Sequence, residues 1–439
     1  MIFAIAVLQL LFLGYYIYIG NKKQGLTFWV DPSKIFVLLW VTTICLYNFQ
    51  FSGLYSPTLQ INLIVMLIIA AIILILRKNS ISSEEAVALL DEIDKENSYN
   101  TYYLVSNIIF FMAVPTFINN VLHYGLAILA ENKIGKQPME HYSSYIVYML
   151  TLCAQIKYIL YRNFKNKKDL AVLAISVLVL FLTLNRGPIA FLFTTIYIYE
   201  VIHFIKIKDR ISKRKIYISI SAAVLAMVIF LQLFAYVGNV RMEYALNKYN
   251  KTLQQHYKMS DYMPDSLVWV YMYLTSPMDN AAHAMGSQEV QFTYFNNLLY
   301  PFIKLSANIV GKGNEYRQWL NQRKTLSPHL AESVGLTADS FIVEAYQDLG
   351  YVGVLVYIGI YCGLIYFTMR LIRRKTDFSA VGAMVIYSNT LNLLLWSVFV
   401  NSLKIPILLL NIMAVVAVEL NHKYKLLPRL YALIKKKVR

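Results

Sequence analysis

"DLAVLAISVLVLFLTLNRGPIAFLFTTIYIYEVIHFIK" (residues 169–206) decides the fold. Two apolar runs, 169–184 and 188–206, flank the turn that carries Arg186 and Gly187. Each approaches the roughly 20 residues that a helix needs to cross a bilayer. In hydrocarbon no water is present to take backbone hydrogen bonds, so such runs must be helices. Read outward, the same criterion gives further blocks at 1–20, 35–50, 59–76, 102–129, 143–161, 216–237, 351–369, 378–400 and 405–420. The expected fold is an all-α polytopic membrane protein with about 11 (10–12) transmembrane helices. A chain of 439 residues that is 58% hydrophobic, with a mean hydropathy of +0.50, fits that class. The first block lacks a basic start and a small-residue cleavage site, so it reads as a retained span. The long fourth block contains Pro115, where a tilt or break is expected.

A net charge of +17 raises the question of nucleic acid, and its distribution answers it. The basic residues gather in "RNFKNKK" (162–168), "KIKDRISKRK" (206–215), "RLIRRK" (370–375) and the tail "KYKLLPRLYALIKKKVR" (423–439), each beside a span. That is the positive-inside pattern of a membrane protein, with no nucleic-acid partner. Threading the spans alternately puts all four clusters on one side, which predicts an outside N-terminus and a cytoplasmic C-terminus. The predicted organisation is spans 1–8 over 1–237, a large extracytoplasmic loop over 238–350, spans 9–11 over 351–420, and a basic tail over 421–439.

The loop carries 9 Lys/Arg and 10 Asp/Glu, so the excess charge lies elsewhere. Loops of this length are usually functional. Its apolar stretches, "SLVWVYMYLTSP" and "FTYFNNLLYPFIKL", read as short interfacial or re-entrant helices. On the cytoplasmic side, Ser82 and Glu85 form a capping-box pattern that opens an acidic amphipathic helix, read as a solvated surface helix. The 35 tyrosines supply aromatic belts and, in part, sugar-stacking surface. Cys45, Cys153 and Cys362 all fall in expected spans and read as small core residues. The sequence has no Walker loop, no dinucleotide glycine motif and no internal repeat.

Arg186 has two readings. It either snorkels at the end of a helical hairpin, or it forms an anion site with the N-terminus of the next helix. In the second, Gly187 and Pro188 make a tight turn and Pro188 occupies that helix's first turn.

"LTLNRGPIAFLF" resembles the Arg-Gly turn of the O-antigen polymerase and ligase superfamily, membrane enzymes that join glycans carried on undecaprenyl diphosphate. "TADSFIVEAYQDLGYVGVLVYIG" (337–359) is similar to the segment that ends that family's large external loop, with Asp348 before Gly350 and Gly353 three residues on. "VYMYLTSPMDN" (270–280), after "GNVRMEY" (238–244), resembles the oligosaccharide repeat-unit polymerase branch. The resemblance covers span number, loop position and the Arg-Gly turn. It implies a glycosyltransferase of the bacterial cytoplasmic (inner) membrane, with an extracytoplasmic active site. There it would join undecaprenyl-diphosphate-linked repeat units into O-antigen, as in lipopolysaccharide, or into capsular polysaccharide. Donor and acceptor would both be lipid-linked, and a chain-length regulator and a flippase are the implied partners. A glycan ligase of the same superfamily and a flippase or exporter of lipid-linked glycan are the alternatives.

Such a reaction releases a diphosphate, whose growing charge needs fixed cations. Arg186 and Arg241 are the first candidates, Arg317 and Arg323 the next. No cofactor or metal is expected: there is no Asp-x-Asp pattern, the loop "FSGLYSPT" has no acid, and "DEID" (91–94) threads to the other side. A base must take the acceptor's proton. His256, His283 and His329 lie in the loop without metal-pair spacing. The ligase branch usually places His nine residues before the acid of the Gly-x-x-Gly segment. Here that position is Asp339, which points to a polymerase. Glu344 and Asp348 are the other catalytic candidates. The competing reading of Asp339 is a helix N-cap, and that of Asp348 is to orient the next span.

Overall fold

The computed structural model describes residues 1–77, 79–93, 99–126, 137–139, 141–210, 212–287, 290–332, 334–373 and 377–424. The basic tail from 425 onward and Asp94 of "DEID" lie outside these, as do the side chains of Arg186 and Arg241.

The helices in order are α1 (Ile2–Gln24), α2 (Pro32–Phe49), α3 (Leu59–Leu76), α4 (Ser83–Ile93), α5 (Tyr99–Tyr124), α6 (His141–Tyr148), α7 (Leu150–Phe164), α8 (Lys167–Leu182) and α9 (Arg186–Ile207). There follow α10 (Lys213–Tyr249), α11 (Leu253–His256), α12 (Asp265–Gly286), α13 (Tyr300–Ile309), α14 (Gly313–Gln322), α15 (Pro328–Ala331), α16 (Phe341–Ile372), α17 (Ala380–Trp396) and α18 (Pro406–Tyr424). Among the described residues there is no strand. Among the described residues, eight helices are long and apolar enough to cross a bilayer, the architecture of a multi-pass membrane protein. A helix stands at each of the eleven expected positions; α8 and α17 are shorter than a full span, and the side chains of α10 are only partly among those described. Pro115 sits inside the continuous helix α5.

The surface is apolar where a soluble protein's would be polar. Phe3, Leu8, Phe111, Leu122 and Leu355 are exposed, as lipid-facing side chains are. The inside is where polar groups meet. Gln9, Asn48 and Asn62 exchange hydrogen bonds of 2.6–3.1 Å across α1, α2 and α3. A second amide set joins α7, α9, α17 and α18. Asn389 donates to Gln155 and accepts from Asn411, while Gln155 and Asn392 both donate to the Phe191 carbonyl. Such bonds favour helix association where lipid offers no hydrogen-bonding partner.

The two ends of the bundle differ in charge. At one end two of the basic clusters meet α4, where Lys206 pairs with Asp91 at 2.7 Å and Arg373 with Glu85 at 3.4 Å. Ser82 and Glu85 do form the capping box, with reciprocal bonds of 2.9 and 3.1 Å. However, α4 is not a solvated helix. Ala86, Leu89, Leu90 and Ile93 are buried against the bundle, because its apolar stripe caps the ends of α9 and α17.

At the other end lies the segment between α10 and α16. Two expectations change here, and a third holds. Residues 238–249 are not loop but the continuation of α10. "SLVWVYMYLTSP" is not interfacial: it forms most of α12, whose Val268, Tyr271, Met272 and Thr275 are buried against α2, α3 and α16. "FTYFNNLLYPFIKL" contains the start of α13, which has no buried residue and exposes Phe302, Leu305 and Ile309. That apolar stripe matches the expected interfacial helix.

Candidate functional site

The Gly-x-x-Gly segment is a deliberate break in α16. Leu349 leaves the helical region (φ −152°) and Gly350 takes a left-handed φ of +59°, which favours glycine. A Cβ on Gly353 would lie 1.9 Å from the Ala345 carbonyl oxygen, so only glycine lets the two arms close. Asp348 holds the break. Its carboxylate accepts from Thr293 Oγ1 (2.5 Å), Asn297 N (3.0 Å), Leu298 N (3.1 Å) and Tyr357 Oη (2.9 Å). Four donors occupy both oxygens, so Asp348 is committed to shaping the site and has no free lone pair aimed at a substrate.

One turn earlier, and in the strand of loop before it, lie Glu344 and Asp339, which are 3% and 2% exposed. Lys324 Nζ is 2.7 Å from Asp339 Oδ2 and 3.9 Å from Glu344 Oε1. Lys404 Nζ is 2.7 Å from Glu344 Oε1 and donates to Asn297 Oδ1 at 2.7 Å. Two acids and two lysines thus interlock at the mouth of the bundle. The N-cap reading of Asp339 fails: α16 begins at Phe341, the cap position is Ser340, and Phe341 N donates to the Ser397 carbonyl. Burial, reinforced by the charge of Glu344 and opposed by Lys324 and Lys404, pushes the Asp339 carboxyl up to about 6. Burial alone would lower the Lys324 ammonium; the charges of Asp339 and Glu344 outweigh it and leave it raised.

The pair is incompletely satisfied. Glu344 Oε2, Ser340 Oγ and Asn401 Oδ1 are buried with no hydrogen-bond partner, and Asp339 Oδ2 has only its ion pair. Buried polar atoms rarely go unpaired without a reason. Four on neighbouring residues mark a place built for another polar group.

"MDN" of the stretch 270–280 staples this region. Asp279 accepts from Tyr47 Oη (2.8 Å) and Ser56 N (3.2 Å), and burial raises its carboxyl against those bonds. Asn280 donates to the Leu336 and Ala338 carbonyls and accepts from Ser327 N, fixing the approach to Asp339.

The other candidates scatter. Arg186 and Gly187 are the first two residues of α9. The turn before them is made by Leu184 in a left-handed conformation (φ +54°), not by Gly187. Pro188 lies in the helix's first turn, as expected, and Asn185 supplies the cap. Phe191, further along the same helix, packs on Trp396 (5.4 Å between centroids) at the start of the turn that carries Lys404. The Arg186 backbone is therefore at the acid pair's end of the bundle. Arg241 is on α10, not in a loop. Arg317 is exposed on α14, and Arg323 lies 4.2 Å over the Trp319 ring. His283 and His329 are exposed and act electrostatically on Asp279. His256 is half-buried; burial lowers its ring pKa, and its Nε2 lacks a partner. Among the described residues no histidine has a hydrogen bond or ion pair with Asp339 or Glu344, and no cluster of three His/Cys/Asp/Glu is placed to hold a metal ion.

Sequence reasoning missed Lys324, Lys404, Asn297 and Asn401. Lys404 carried a usable signal, since like Arg186 it is a lone cation in a short turn between two apolar runs. Lys324 looked like any loop lysine. No protein-family model, curated protein or solved structure matches the chain.

Proposed function

We propose that the protein is a lipid-linked oligosaccharide polymerase acting on the outer face of the bacterial cytoplasmic membrane. The observation that carries this reading is the buried Asp339–Glu344 pair with its unpaired oxygens, at the bundle end opposite the basic clusters. An acceptor hydroxyl would meet the Asp339 carboxylate. Its oxygen attacks the anomeric carbon of the donor glycan, its proton passes to Asp339, and the anomeric carbon–oxygen bond to undecaprenyl diphosphate breaks. The diphosphate leaves as an anion, neutralised by Lys324 and Lys404, with Arg186, the first residue of α9, as the candidate the sequence adds. Arg241 on α10 is a further candidate for that role. The raised Asp339 carboxyl is a better base than a solvated one. The two glycines and Asp348 set the geometry.

Deletion of the gene in its own host is the test. A polymerase predicts loss of long glycan and accumulation of single repeat units on carrier lipid or on the lipopolysaccharide core. Full-length glycan left on the carrier would instead identify a ligase. Repeat units trapped on the inner face would identify a flippase. Unchanged glycan would reject all three readings.

A further inference from the structure

The acid pair lacks partners and also lacks an entrance. Asp339 and Glu344 are almost fully buried, and so are Ser340 and Asn401, whose polar atoms also go unpaired. A ligand can reach these groups only if something moves. Their partner Lys324 is the more open group, with 27% of its side chain exposed.

Lys324 belongs to residues 299–326, the segment that carries α13 and α14. Both roots of this segment are pinned. Before it, the backbone N–H groups of Asn297 and Leu298 donate to Asp348. After it, Ser327 N donates to Asn280 Oδ1. Between the roots the build changes. Helices α13 and α14 pack chiefly on each other. Among the described residues, no apolar side chain of the segment joins the apolar core of the bundle. Instead α13 turns Phe302, Leu305 and Ile309 outward, a stripe that rests in the lipid interface. Three polar ties join the hairpin to the bundle. Lys324 pairs with Asp339 at 2.7 Å, Gln347 Nε2 donates to the Arg323 carbonyl at 2.8 Å, and Lys404 Nζ lies 5.0 Å from the Tyr300 ring centroid. All three land on the acid site, since Lys404 also pairs with Glu344 and Gln347 lies three residues past it on α16.

A segment with pinned roots and little buried apolar contact opens at far less cost than the bundle it covers. We propose that residues 299–326 form a lid over the acid pair, latched by Lys324, which swings on its roots to admit a ligand. The ligand's own donors then replace the ion pair that opening breaks. The lid does not depend on which substrate the acids serve.

Ser340 reports the opening, because it adjoins Asp339 in the chain and is fully buried. The experiment follows the reaction of S340C with a water-soluble maleimide in membranes. The three native cysteines are buried, so the parent chain gives the background. S340C should label slowly. S340C/K324M should label at least about tenfold faster, the scale of one charge-assisted hydrogen bond, and S340C/K324R should stay slow. Equal rates in S340C and S340C/K324M overturn the latch. Fast labelling of S340C alone overturns the lid, since the site would already be open. A rise matched by the native cysteines of K324M also overturns it, because the bundle itself has then loosened. The readout is access and not glycan transfer, so the lid and the polymerase reading stand or fall separately.

Discussion

Both ends of the bundle bury carboxylates, and they treat them differently. At the basic end every described buried acid is saturated. Asp169 takes Lys157 on one oxygen (2.7 Å) and Tyr99 on the other (3.2 Å), with Lys157 itself 3.9 Å from the Tyr103 ring centroid. Glu419 accepts from Tyr102 and Ser379, and the half-exposed Glu200 at the same end accepts from Arg162 through both oxygens and from Tyr158. At the loop end Asp348 is saturated in the same way, but Asp339 and Glu344 have lysines beside them and yet buried oxygens there go unpaired. A saturated buried pair is a clamp, costly to break and with nothing left to offer. An unsaturated one costs stability in the empty protein and recovers it when a ligand arrives.

That contrast predicts opposite phenotypes. K157A leaves Asp169 fully buried without its counter-charge and should cost about 3–5 kcal/mol, read as lost folded protein in detergent melts. D339N and E344Q should leave the melting temperature nearly unchanged while glycan transfer falls by at least about 100-fold, the contribution of a positioned base. D339N that melts early yet transfers normally would make both ends clamps and erase the distinction.

A smaller effect sharpens it. Asp339 must be ionised to accept a proton, and its carboxyl is raised to about 6, so transfer should fall as pH drops through about 6. Lys324 works to lower that value. K324M removes the cation, raises the carboxyl further and should move the acid limb to higher pH. A limb that stays near 6 in K324M would assign it to another group. The smallest effect belongs to the break in α16. G350A puts a Cβ where φ is +59° and should cost about 1 kcal/mol, with transfer reduced because Asp348 can no longer hold the turn squarely.

Much of the frame was legible in the sequence because hydropathy is local. A run of apolar side chains needs oil wherever it lies, so helices stand at all eleven expected positions. The Ser82–Glu85 box was equally legible, since both of its partners lie within one turn. The candidate acids Asp339 and Glu344 came from the resemblance of residues 337–359 to a family segment. What was not legible is what surrounds them.

Tertiary structure alone decided which lysines face the acids, that Asp348 spends its lone pairs on a kink, and that α12 is buried and not interfacial. A charge written in sequence carries no direction. Its partner is fixed only when the turn after α17 folds back to bring Lys404 to Glu344, and when Asn280 pins the chain that delivers Asp339 to Lys324. Composition determined that the chain would enter a membrane. The close approach of distant turns decided where polar atoms were left without partners, and so where chemistry has room.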